Sequence, residues 1–241
     1  HPAGNGFAPL ARDSWKAVSG RVSNRMATAE VATVHWERLV VGPIEANCYL
    51  LYDRPGGEAM VIDPGADGHR ILEALTAKEL QVKAILLTHT HFDHIGALEP
   101  VHQATGAPIL VHEAEAGWLG DPTLNLSAGL EGLLSEPIRG PHPHRTLVGG
   151  EVLTLAGQAI RVLPTPGHTP GGLSYWLPDA GWVFTGDALF KQSIGRTDLP
   201  GGNLTQLLEG IRRSLLTLPD ETVILPGHGP ESTIGEERRA N

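Results

Sequence analysis

The feature that most constrains this chain is a cluster of metal-ligand chemistry set against the end of an apolar segment. Val82-Lys83-Ala84-Ile85-Leu86-Leu87 reads as a buried strand, and Thr88-His89-Thr90-His91-Phe92-Asp93-His94 follows it at once. Three imidazoles and a carboxylate in the pattern H-x-H-x-D-H are donors that a divalent, zinc-like cation takes. A fold that accepts this segment must end a buried strand where polar side chains can converge. In open α/β sheets that place is the carboxyl edge of the strands. A single histidine there would be an ordinary loop residue. Three with an aspartate, packed this tightly, point to a metal site.

Composition narrows the field further. The 241 residues are 41% hydrophobic, enough for one large core or two smaller ones. With 30 Gly and 19 Pro, the chain turns often between short elements. A formal net charge of -9 argues against nucleic acid as a partner, because phosphate binding needs clustered Lys and Arg. The single cysteine, Cys48, excludes an internal disulfide framework. Its apolar surroundings, Asn47-Cys48-Tyr49-Leu50-Leu51, predict a buried, inert thiol. No apolar window of about 18 residues exists, so no membrane span is expected. The expected location is the cytoplasm, with organellar targeting left open by the first thirty residues. That stretch, residues 1–30, carries Arg12, Lys16, Arg21 and Arg25 against Asp13 and Glu30, with Ser14, Ser19 and Ser23 interleaved. It reads as a flexible extension, an appended segment or the remnant of a transit peptide, and Met26 offers an internal start. Residues 31–241 are expected to form the folded domain.

Periodicity lays out that domain as strands in runs with helices between them. Strands are predicted over Val31–Val41, Ala46–Tyr52, Ala59–Ile62, the segment before His89, and Pro108–Val111. A helix is predicted from about Gly68 to Leu80 and another near His94. Residues 113–145 are irregular, with Pro122, Pro137, Pro141 and Pro143. Strands then recur over Glu151–Leu155, Ala159–Leu163, Gly172–Leu177, Trp182–Phe184 and Thr222–Leu225, with a helix over Leu204–Leu218 before the last. This order suggests two sheets packed face to face and covered by helices.

Three more candidate ligands lie in the second half, each just past a strand and each preceded by glycine. They are His168 in Thr165-Pro166-Gly167-His168, Asp187 in Thr185-Gly186-Asp187, and His228 in Leu225-Pro226-Gly227-His228. Glycine lets the backbone turn sharply and approach another group closely. Any one of them alone would be an ordinary structural residue. With the first cluster they complete two coordination sets.

In order and spacing, His89, His91, Asp93, His94, His168, Asp187 and His228 resemble the ligand set of the metallo-β-lactamase superfamily, over nearly all the chain from Val31 onward. The resemblance implies an α/β fold, a four-layer αβ/βα sandwich with the metal site along one edge of its two sheets. It implies that His89, His91 and His168 hold one divalent ion, that Asp93, His94 and His228 hold a second, and that Asp187 bridges them. Zinc is the first expectation, with iron and manganese as alternatives suited to the same donors. Asp63, in Ile62-Asp63-Pro64-Gly65, matches an early motif of the family. It is either a carboxylate orienting a ligand or a turn residue before Pro64.

The chemistry implied is attack on an acyl carbonyl by a hydroxide shared between two cations, with Asp93 aiming it. Asp187 and the stretch over residues 190–202 resemble short hydrolases of the glyoxalase II type. Persulfide dioxygenases carry a run related to its Gly195-Arg196-Thr197-Asp198, and the terminal Leu225-Pro226-Gly227-His228-Gly229-Pro230 resembles the hydrolases more closely. The implied substrate is a thioester, S-lactoylglutathione or a related acyl thiol. A mononuclear iron persulfide dioxygenase and a lactonase or other ester hydrolase are the alternatives. Glyoxalase II enzymes carry a C-terminal helical domain with basic residues for glutathione, and only residues 229–241 follow His228 here. Arg196 is therefore the candidate substrate contact, or else the partner of Asp198 or Asp187. His142 and His144 are expected to be loop residues without a role in the site.

Overall fold

Side chains alternate between faces along a strand, and here both faces of each central strand are buried in different cores. The computed structural model describes residues 33–241. The extension expected over residues 1–30 lies outside the described residues. The first sheet runs β1 (His35–Val41), β2 (Ala46–Tyr52), β3 (Glu58–Ile62), β4 (Gln81–Leu86), β5 (Ile109–His112), β6 (Arg145–Leu147) in spatial order. The second runs β14 (Ser232–Thr233), β13 (Val223–Pro226), β10 (Trp182–Gly186), β9 (Leu173–Leu177), β8 (Gln158–Pro164), β7 (Val152–Leu155). A hairpin of β11 (Leu189–Phe190) and β12 (Ser193–Ile194) stands apart.

The alternation assigns the layers. On β2, Tyr49 and Leu51 face the second sheet, where they pack with Phe184 and Leu225, while Cys48 and Leu50 face the helices. On β4, Leu86 points inward between the sheets and Ile85 outward against α1 (Gly68–Ala77) and α3 (Leu98–Thr105). The second sheet repeats the scheme. Phe184 of β10 and Leu225 of β13 enter the central core. Val183 and Ile224 meet α4 (Leu204–Gly210) and α5 (Ile234–Ala240) on the outside. Helix, sheet, sheet, helix is the expected αβ/βα sandwich.

Cys48 is buried, and burial pushes its thiol pKa up, as expected of an inert cysteine. Among the described residues no helix is long and apolar enough to cross a membrane.

Several elements depart from the sequence reading. The helix expected near His94 is two pieces, α2 (Phe92–Ile95) and α3, broken at Gly96-Ala97. At the break Ala97 N donates to the Pro64 carbonyl at 2.9 Å instead of continuing the helix, and the close approach of Gly65 requires glycine at 96, where a Cβ would collide with the Gly65 carbonyl. The helix expected to Leu218 is α4 followed by a wider turn over Ile211–Leu215. Strands β6, β11, β12 and β14 were not foreseen, because two or three residues hold no readable period. The polar helix α5 went unseen for want of an apolar stripe.

Strands β3, β4 and β5 run parallel, as do β10 and β13. Their carboxyl ends therefore gather along one edge. Asp63 follows β3, His89 to His94 follow β4, Asp187 follows β10 and His228 follows β13.

Candidate metal centre

All seven candidate ligands converge at that edge. His89 is buried; its Nδ1 lies 3.1 Å from Thr88 Oγ1, and its Nε2 has no hydrogen-bond partner. His168 Nδ1 donates to the Arg196 carbonyl at 2.7 Å, which fixes the lone pair of the neutral ring on Nε2. That Nε2 lies 3.0 Å from His91 Nδ1. Together His89, His91 and His168 offer three ring nitrogens within 4.8 Å of one another.

The second group is built around carboxylates. His94 Nδ1 donates to Asp63 Oδ2 at 3.1 Å, so Nε2 is the nitrogen left to face a cation. That Nε2 faces Asp93 Oδ2 and Asp187 Oδ1, each at 3.4 Å, and hydrogen-bonds neither. His228 Nε2 lies 3.0 Å from Asp93 Oδ2. Asp187 sits between the groups: its Oδ2 is 3.6 Å from His168 Nε2 and 3.7 Å from His228 Nε2.

The donor set fits divalent cations. Buried polar atoms are almost always hydrogen-bonded, and each orphan costs about 1–3 kcal/mol. Yet His89 Nε2, His94 Nε2, His91 Nε2 and Asp187 Oδ1 are all buried here without partners. Such a concentration is expected where a cation supplies the missing contact.

The groups differ in how they hold protons. Burial, reinforced by the neighbouring imidazoles, holds His89 well below the usual histidine range. Burial and then His168 bring His91 to about 3. Burial acts the same way on His94, but Asp93 and Asp187 overcome it and raise His94 well above the usual range. His228 is raised too, against its burial, by its bond to Asp93 and by Asp187. Asp93 is correspondingly held low, chiefly by His94 and His228, although its burial works against this. His89 and His91 thus present neutral nitrogens, whereas His94 and His228 hold protons that a cation must displace.

Four supports fix the geometry. Asp63 accepts from Thr88 N at 2.7 Å and Thr88 Oγ1 at 2.6 Å as well as from His94, so it orients ligands at both ends of the motif. Its φ of 51° lies in the left-handed region, which Asp enters more readily than most residues. Asp63 thus turns the chain and also holds the His94 ring.

Glu115, fully buried, is the second support, and sequence reasoning missed it. Its Oε2 accepts from Thr90 N and Thr90 Oγ1, both at 2.8 Å, and its Oε1 accepts from Gly171 N at 2.8 Å. It joins the loop of His89 and His91 to the loop of His168. No local pattern marks it, since it lies in the irregular stretch after β5.

Third, Asn47 and Tyr49 of β2 reach across to the His228 loop. Asn47 Nδ2 donates to the Pro226 and Gly229 carbonyls at 2.9 and 3.0 Å, and Tyr49 Oη donates to Pro226 O at 2.8 Å. Fourth is glycine: a Cβ on Gly227 would collide with Asp187 Oδ1 and stand 2.8 Å from His94 Cε1.

Arg196 behaves differently from the ligands. Its side chain is exposed and bidentate to Asp198, with both bonds 2.7 Å, while its carbonyl orients His168. His142 and His144 are exposed and outside the cluster; His144 Nδ1 accepts from Ile109 N.

Fold and site together define a metal-binding αβ/βα protein with its ligands on the shared edge of two sheets. The sequence profile of the metallo-beta-lactamase superfamily matches residues 41–228, and the chain belongs to that family. It is 45% identical over 206 residues to a probable metallo-hydrolase, YqgX, of Bacillus subtilis, covering 86% of this chain and 95% of that one. It is 37% identical over 206 residues to a hydroxyacylglutathione hydrolase, GloC, of Haemophilus influenzae, covering 85% and 95%. Among solved structures, BLEG-1, named a B3 metallo-beta-lactamase, superposes with a TM-score of 0.81 at 42% identity, covering 86% and 98%. A di-iron-bound form of TTHA1623 gives 0.75 at 38% identity, covering 85% and 98%. The fold and the His/Asp clusters imply divalent-metal binding within a superfamily of metallo-hydrolases.

Proposed function

We propose that this chain is a binuclear metal-dependent thioesterase acting on S-lactoylglutathione or a related acyl thiol. The observation that carries the reading is the position of Asp187, within 3.4–3.7 Å of His94, His168 and His228 and so shared between both ligand sets. His89, His91 and His168 would hold one ion, Asp93, His94 and His228 the other, and Asp187 both. Zinc, iron and manganese all suit this mixed donor set, and the di-iron relative supports iron as a serious candidate. Two such ions would acidify a water to near neutral pH and polarise an acyl oxygen.

The protein's own groups do the rest. Asp93 lines the open side of the site and accepts a hydrogen bond at Oδ2, so it can orient a water's O–H toward itself and its lone pair toward a carbonyl carbon. Asp63, through His94 Nδ1, and the Arg196 carbonyl, through His168 Nδ1, hold the imidazoles in one tautomer and one orientation. A departing thiolate needs no general acid, because its conjugate thiol has a pKa of about 8.5.

The relative named as a hydroxyacylglutathione hydrolase supports the substrate class. The similarity to a protein named as a β-lactamase makes β-lactam hydrolysis the competing acyl-transfer reading. The deciding experiment measures metal content alongside hydrolysis of S-lactoylglutathione, other thioesters, a lactone and a β-lactam, with an oxygen electrode in parallel. Thioester turnover at two metals per chain is expected. Oxygen uptake with glutathione persulfide at one iron per chain, without thioester hydrolysis, would replace the proposal with a dioxygenase.

A further inference from the structure

Beside Asp93 lies a cavity of about 590 Å³. Phe92 and Asp93 line it, and none of the candidate histidines does. The β1–β2 turn, with Val41 and Ile44, makes one wall, and Leu134, Pro137 and Ile138 of the irregular segment make the other. Its size falls within the ~300–1,000 Å³ typical of pockets that hold a drug-sized ligand. A three-carbon lactoyl group fills little of it. Ile44, which lines it, is an apolar side chain left exposed among the described residues.

The rim is acidic. Glu99 and Glu136 line the cavity and form no ion pair among the described residues. Asp67 is already satisfied by Gly42 N at 3.0 Å and Arg70 Nη1 at 3.1 Å. The one basic side chain among the described lining residues is Arg139, whose Nη1 donates to the Gly120 carbonyl. An anionic tail would therefore meet apolar walls and two carboxylates, of which Glu99 accepts from Gln103 Nε2 at 2.9 Å, against a single guanidinium already bonded to a backbone carbonyl. Arg196 is not among the lining residues; its guanidinium is paired with Asp198 and its carbonyl accepts from His168 Nδ1.

From this polarity we propose that the cavity beside Asp93 is an acyl pocket that takes an uncharged, apolar acyl chain longer than lactoyl, with the thiol half of the thioester lying outside it. The proposal rests on the thioesterase reading and adds the class of acyl group. Each methylene drawn from water into such a pocket contributes about fourfold in binding, whereas a carboxylate entering it loses hydration beside the carboxylates of Glu99 and Glu136.

The test uses the metal-loaded full chain and N-acetylcysteamine thioesters, which keep the thiol half constant and uncharged. Hexanoyl should exceed acetyl in kcat/KM by at least about tenfold. Succinyl should fall below butanoyl by a similar factor, and Glu136→Lys should narrow that gap. Leu134→Trp should move the preferred chain length downward. A flat chain-length profile with succinyl tolerated would overturn the pocket while leaving the thioesterase intact. If no thioester is turned over, the thioesterase reading falls on its own account. The pocket is then judged by binding: hexanamide should shift the methyl resonances of Ile44, Leu134 and Ile138, and unmoved resonances would overturn it.

Discussion

Replacing Glu115 by glutamine separates the spacing of the ligand loops from the ligands themselves. The carboxyl group accepts three hydrogen bonds in a fully buried position, two from Thr90 and one from Gly171. Glutamine keeps the shape but one oxygen becomes an NH2. The favoured orientation points the amide oxygen at Thr90, where it satisfies two donors, and turns the NH2 against Gly171 N–H. One buried bond is lost and two donors face each other, at a cost of about 2 kcal/mol. Alanine would orphan all three donors at about 5 kcal/mol, comparable with the whole stability of many domains, so glutamine is the informative change. Because Thr90 lies between His89 and His91, and Gly171 three residues beyond His168, the same repulsion should spread the first ligand set. Ligand supports of this kind are typically worth about 10- to 100-fold in metal affinity. Chelator competition against wild type, with denaturant unfolding of the metal-free proteins, reads both effects. Unchanged affinity at the tighter site, with stability reduced as expected, would refute the spacing argument and leave Glu115 as a support of the fold alone.

Other expectations follow from the same geometry. Asp63→Asn preserves a residue that tolerates a positive φ, but its NH2 can donate to His94 Nδ1 and drive the ring hydrogen onto Nε2; loss of one metal per chain, seen by elemental analysis, is the expected result. Gly227→Ala forces a methyl group against Asp187 and His94, so metal content should drop while far-UV circular dichroism stays native. Acidification should strip the two ions in sequence. His94 and His228 have raised pKa values, so their protons compete with a cation as soon as pH falls through those values, about tenfold in affinity per pH unit for each proton displaced. His91, brought to about 3, offers no such competition until far lower pH. Metal-release titration should therefore show the Asp93/His94/His228 ion leaving first, and release of both in one step would contradict this order.

Arg196 marks where a local reading stops. The sequence allowed it to be a substrate contact or a partner of an aspartate, and both are one-residue statements about a flexible side chain. The structure engages its guanidinium with Asp198 and assigns its carbonyl, a group with no sequence signature, to His168. Likewise the irregular residues 113–145 carried no periodicity, yet they supply Glu115 and one wall of the cavity beside Asp93. Asn125 of that stretch receives Phe92 N through its carbonyl at 2.8 Å and so anchors the ligand turn.

What the sequence determined by itself was the chemistry and its order along the chain. Ligand type is a property of the side chain, and the end of an apolar strand is visible as a change in local composition. Seven candidate ligands, five of the six strands of the first sheet and the layered architecture were legible for that reason. The tertiary structure decided what depends on distance between segments remote in sequence. It brought Asp187 between two histidine sets and carried Asn47 and Tyr49 of the first sheet to the His228 loop of the second. It buried Glu115 between two loops and opened a cavity on one side of Asp93. These contacts are set by how two sheets pack, and packing leaves no period in a single chain from which to read them.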